Sequence, residues 1–210
     1  MDIKSYKALR AVGQPLNDRI LESLTKTDTR IAARAMGVLK GNKVVLPDED
    51  DISRAYDFFI HDYRDPNGET LVERFDRSHP ELTDQERVTL DCFLSSSSSL
   101  FRIAEVNPVS HTLELEDLLN PGHRVTWMDL GISQFRSLVG TLVYTRILTF
   151  PDVNISSGAP LLFNPDVEDT LLDVYPKKMA KMTVGDEQMK RAATFFKLYK
   201  LYGIKEMTYR

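Results

Sequence analysis

Asp57, His61, Asp62 and Asp65 are the residues whose types and spacing come nearest to a chemical site. Asp57 and His61 are four apart, so on a helix they share one face and could both reach a metal ion. The structural alternative is a solvated face near a helix end, with His61 a cation in the last turn interacting with the helix dipole.

The pair His61-Asp62 resembles the paired ligands of HD-type phosphohydrolases, but that pattern needs an earlier histidine and none precedes His61. The zinc-protease spacing His-Glu-x-x-His is missing as well. His79, His111 and His123 lie beside the turn residues Pro80, Ser110 and Gly122, with no Gly-x-Ser-x-Gly elbow and no glycine-rich phosphate loop. Cys92 is the only cysteine, so no intramolecular disulfide and no thiolate cluster can form, and its place between Leu90 and Phe93 reads as a small buried hydrophobe. No catalytic residue, metal set or cofactor site follows from these patterns.

The other candidate is the C-terminal stretch. Lys177, Lys178, Lys181, Lys190, Arg191, Lys197, Lys200, Lys205 and Arg210 outnumber Asp186, Glu187 and Glu206, and Phe195, Phe196, Tyr199 and Tyr202 are interleaved with them. Basic residues mixed with aromatics can follow a phosphate backbone and stack bases. Ala192, Phe195, Phe196, Tyr199 and Tyr202 also form a stripe at helical spacing, which would dock on the rest of the chain or on a second subunit. Lys190, Arg191, Phe195, Lys197, Tyr199 and Lys200 are therefore the candidate interaction surface. Trp127, within a strand-like run, reads as core packing before a ligand platform.

These residues need elements to hold them. With 210 residues, 42% hydrophobic and 28% charged, the chain is an ordinary globular composition able to bury a core without staples. A net charge of −4 argues against wholesale nucleic-acid binding without excluding a local basic patch. No apolar run approaches a membrane span and no signal-like leader is visible, so the expected compartment is the cytoplasm.

Helices are expected over about 15–25, with Pro15 in the first turn, over 29–39, and from the acidic run Pro47–Asp51 through Ile52, Tyr56, Phe59, Ile60 and Tyr63. A short helix follows from Thr70 to Arg77, and Thr83 with Glu86 forms a capping box for another that runs into five serines, Ser95 to Ser99. After the serines the pattern turns to strands over 100–106, 112–115, 124–128, 142–150 and about 155–163. A helix follows Asn164-Pro165-Asp166 until Pro176 breaks or kinks it, and a last one spans about 186–202. The expected class is α+β: a helical part over 1–98, a small SH3-like, partly closed antiparallel β-barrel over 99–164, and C-terminal helices over 165–210 in one compact unit.

The stretches Met36 to Leu46, Asp57 to Asp62, Ser99 to Val106 and Leu115 to Leu119 together resemble a family of uncharacterised bacterial cytosolic proteins with a helical first half and a small β-domain. The resemblance spans roughly residues 30–163 and implies a fold without a reaction, cofactor or site. The function these readings favour is a non-enzymatic interaction module that binds a protein partner or itself. Nucleic-acid binding through the barrel and basic tail, and a metal-dependent hydrolase around His61, are the alternatives.

Overall fold

A computed structural model describes residues 3–158 and 160–204. Lys205, Glu206 and Arg210 of the basic tail lie outside the described residues. The helices are α1 (Ile3–Leu21), α2 (Lys26–Met36), α3 (Glu49–His61), α4 (Leu71–Arg77), α5 (Asp84–Ser95), α6 (Glu168–Met179) and α7 (Glu187–Tyr202). A two-residue hairpin joins β1 (Leu39–Lys40) to β2 (Lys43–Val44). The main sheet comprises β3 (Ser97–Asn107), β4 (Thr112–Asp117), β5 (Arg124–Met128), β6 (Leu142–Phe150), β7 (Val153–Ser156) and β8 (Leu161–Phe163).

The fold is α+β with a small barrel. Strands β3, β4, β5, β7 and β6 pair in that order and β6 returns to β3, closing a five-stranded ring, while β8 extends β6 beside β7. Every pairing is antiparallel except β5–β7, a parallel contact registered at Trp127 and Asn154. The Asn154 side-chain amide reinforces that contact by donating to the Thr126 carbonyl at 3.0 Å.

Alternation along β6 explains how the two layers join. Val143 and Ile147 point into the barrel with Phe101, Ile103, Leu113, Leu115 and Trp127, and the tryptophan is 0% exposed. Leu142, Tyr144, Leu148 and Phe150 point the other way, into a cluster shared with α1 to α5 and α7. Both faces of β6 are thus buried, which is why apolar residues stand on both of them and do not alternate with polar ones. The single charge in it, Arg146, lies on the helix-facing side.

Local sequence sets the helix ends. Thr25, Thr70 and Thr83 each close a capping box, with Asp28, Glu73 and Glu86 returning the bond to the cap backbone. Helix α1 begins twelve residues earlier than the apolar spacing predicts, and Pro15 sits inside it. Ala11 and Pro15 are both exposed, so the carbonyl that proline leaves without a donor faces water. Pro176 likewise lies exposed within α6, which continues to Met179 without breaking there. The buried face of α3 is rotated from the expected one: Asp51, Ala55, Phe58, Phe59 and Ile60 are inside, whereas Ile52 and Tyr56 are exposed. Asp51 goes inward because Arg54 and Lys200 pair with it there. The serines form the helix-to-strand junction: Ser95 ends α5, Ser96 caps it, and Ser97 opens β3.

Candidate functional site

Helix α3 carries Asp57, His61 and Asp62 to the point where the helical layer meets β6. Arg146 waits there, 2% exposed, and donates from Nη2 to Asp62 Oδ1 at 2.5 Å. Its Nη1 donates to the Ser96 carbonyl and hydroxyl at 3.2 and 3.1 Å. The Gln188 amide, turned so that its oxygen faces the guanidinium, accepts from Nη1 and Nη2 at 3.2 and 3.3 Å. Asp57 stands 4.0 Å from Nε, beyond hydrogen-bond length. Among the described residues Arg146 Nε makes no hydrogen bond, and Arg146 and Tyr144 both line a cavity of about 30 Å³, enough to admit water.

The charges of this node are set by burial. Desolvation pushes the Asp62 carboxyl up to about 6, with Arg146 pulling it back down and Asp57 adding to the rise. Burial also raises Asp57 against the pull of Arg146 and Ser157. His61 falls well below the ordinary imidazole value because burial, and then the positive Arg146, disfavour its protonated form. It is a neutral ring packed edge-on against Phe93, with centroids 5.1 Å apart. The solvated face with a cationic His61 is therefore corrected to a buried one, because α3 ends under β6 where Phe93 and Arg146 cover it.

The four residues first singled out are not brought together. Asp65 turns to the loop, where Oδ1 accepts from the Asn67 and Glu69 backbone N–H groups, and Oδ2 lies 3.5 Å from Arg74. Among the described residues no three His, Cys, Asp or Glu side chains gather as metal ligands would. Cys92 is buried, its thiol donates to the Thr149 carbonyl at 3.1 Å, and burial pushes its pKa up.

On the solvent side of Asp57 a groove of about 300 Å³ opens between α1, α3, α5 and the β6–β7 edge. Leu21, Ile60, Phe93, Leu148, Phe150 and Ile155 supply its apolar walls. Arg10, Gln14, Asn17, Asp18, Asp57 and Ser157 are among its polar lining, and Tyr56, 46% exposed, stands at the rim. Gly13 deepens it: a side chain there would point toward Phe93, with the first carbon 3.9 Å from the ring. Arg10 is already engaged, donating to the Ser156 carbonyl at 2.7 Å, the Ser156 hydroxyl at 3.3 Å and the Tyr6 hydroxyl at 3.1 Å.

Helix α7 meets its own chain. Phe195 is 0% and Tyr199 5% exposed, with Phe195 stacked between Tyr144 and Tyr175 at 4.3 and 5.3 Å. Lys190, Arg191, Lys197 and Lys200 keep partial access to solvent. Arg191 pairs with Glu187 at 3.1 Å, and Lys200 pairs with Asp51. Burial and the nearby Lys178 lower the Lys197 pKa. Arg191 also stands beside the open end of the barrel, a basin of about 830 Å³ lined by Ser97, Ser99, His123 and Arg124. Trp127 belongs to the barrel interior.

Sequence reasoning passed over Arg146, Asn17, Asp18 and the exposed side of Tyr56. Arg146 did leave a signal, as the one charge in a nine-residue strand otherwise free of them. The groove residues left none, since they come from separate elements.

Among the described residues no helix is long and apolar enough to cross a membrane. No curated protein and no solved structure matches the chain. One family model does, over residues 1–209, and its description assigns no activity. The chain belongs to that family, the Family of unknown function (DUF7986).

Proposed function

We propose that the protein is a non-enzymatic interaction module whose recognition surface is the groove between the helical layer and the barrel. The groove itself carries this reading: it is concave, walled by apolar side chains, and edged by a few polar groups. Its walls come from helices and from strands of the closed barrel, and Phe93, Leu148 and Ile155 among them are buried core residues, so it is preformed and binding would need little ordering. The partner is a protein, and it inserts one side chain. The test fills the groove. Gly13→Leu places a side chain against Phe93 in the middle of a helix that tolerates leucine. A partner identified by crosslinking to the wild-type chain should lose binding to this variant while the melting temperature holds. Equal binding by both would sink the proposal.

A second reading rests on Arg191. This residue of α7 stands with Arg124 at the barrel's open end, among serine hydroxyls, which suits an anionic strand. Lys190, Lys197 and Lys200 extend the same basic helix. Affinity for generic single-stranded DNA and RNA should then fall steeply with salt and drop in Arg191→Glu. Salt-independent or absent binding removes this reading.

A further inference from the structure

We infer that the groove takes a cationic hydrogen-bond donor, the ammonium or guanidinium of a lysine or arginine side chain on the partner. The inference rests on the groove being the recognition surface. The acceptors it offers are Asn17 Oδ1, Asp18 and Asp57. Asn17 Oδ1 is buried and accepts no hydrogen bond among the described residues. Asp18 has no ion-pair partner among the described residues. Asp57 takes one hydrogen bond from Ser157, and the cation nearest it, Arg146, stands 4.0 Å away and is held by Asp62.

The one basic residue among the described lining residues, Arg10, has its guanidinium bound to Ser156 and Tyr6. Arg10 bonds only neutral oxygens and Arg146 is shared between Asp57 and Asp62, so the groove with the charges behind it counts three carboxylates, Asp18, Asp57 and Asp62, against two cations. A carboxylate ligand would meet Asp18 and Asp57, and a neutral one would leave Asp18 without an ion-pair partner among the described residues. The rim offers the exposed Tyr56 ring, whose face attracts cations. Phe93, Leu148 and Ile155 offer an apolar wall. A long hydrocarbon stem that ends in a charge matches this sequence of surfaces, and lysine and arginine are the side chains built that way.

The test is an NMR titration of the full-length chain with four blocked amino acids: the N-acetyl methylamides of lysine, arginine, norleucine and glutamate. The lysine or arginine probe should shift the Gly13 and Asp57 amides saturably. Norleucine, which keeps the stem and lacks the charge, should bind about tenfold more weakly, as loss of a charge-assisted contact implies. Glutamate should not bind. Asp18→Asn, at an exposed helix position, should weaken the cationic probes several-fold without disturbing the fold, and Asp57→Asn should do the same. Norleucine or glutamate binding as well as lysine would overturn the cation inference and leave the groove reading standing. No shift from any probe, beside a partner that Gly13→Leu excludes, also overturns the cation inference alone. No shift from any probe together with partner binding unaffected by Gly13→Leu overturns both.

Discussion

At the level of single residues, the node around Arg146 behaves as a buried charge pair that is costly to break. Arg146 and Asp62 are both nearly inaccessible, at 2% and 3% exposure. Removing the arginine strands a carboxylate, so Arg146→Met should lower unfolding stability by about 3–5 kcal/mol in urea titrations. Adding Asp62→Asn to it should recover a substantial part, since the stranded charge is then gone. The two titrating neighbours pull stability in opposite directions with pH. His61 titrates lower in the folded chain than unfolded, so its contribution is complete above about 6.5 and is lost as pH falls below that. Asp62 is pushed up to about 6 from an ordinary 3.8, so the folded state takes up the proton first and gains stability as pH falls through 6 toward 4. Between pH 7 and 5, His61→Gln should therefore become more stable, whereas Asp62→Asn should become less stable. Chemical denaturation at the two pH values checks both signs, and identical slopes in the two variants would contradict the assignment.

At the level of elements, end signals were well written in the sequence and starts without apolar spacing were not. The boundaries of β5 and β6 follow directly from their β-branched and aromatic runs. The capping box at Thr83 was equally plain. The first turns of α1 were hidden because Ile3, Lys4, Ser5, Lys7 and Ala8 are all exposed, leaving only Tyr6 to show which face is inward. The candidate site was less legible for a related reason. Asp57 and Asp62 could be placed on α3, but their partner is 84 positions beyond Asp62, on a strand whose facing depends on sheet register. The cap at Thr25 has a role beyond its helix. Its partner Asp28 is buried, accepts from the Tyr63 hydroxyl at 2.9 Å and pairs with Arg74 at 3.2 Å. Although burial alone would raise the Asp28 pKa, bonds from Thr25, Tyr63 and Arg74 hold it below the usual value. Thr25→Ala should cost about 1–2 kcal/mol, near the upper end for a cap, because it also loosens this carboxylate. Thr83→Ala, whose partner Glu86 lies nearer the surface, should cost less in the same assay.

At the level of the whole molecule, one apolar cluster contains residues from the first helix, the outer face of the barrel and α7. A chain joined in this way is expected to unfold as one cooperative body. The single tryptophan allows a direct check, since Trp127 lies in the barrel interior while most helical signal comes from outside it. Tryptophan fluorescence and far-ultraviolet circular dichroism should give coincident urea midpoints. Separate midpoints would mean that the barrel and the helical layer are independent units. The length and hydrophobic content allowed either outcome. The double-sided burial of β6 is the structural ground for expecting the first.

The parallel contact between β5 and β7 gives the ring an uneven circumference. Every other seam is a ladder of several antiparallel pairs, whereas this one rests on a single registered pair and the amide of Asn154. Thermal opening of the barrel will concentrate there. Amide protons at this seam will trade with solvent before those of β3 and β6, and the indole of Trp127 is the first interior group such breathing uncovers. The barrel thus has a built-in weak stave, placed on the far side of the sheet's pairing order from the β3–β6 seam that carries the helices.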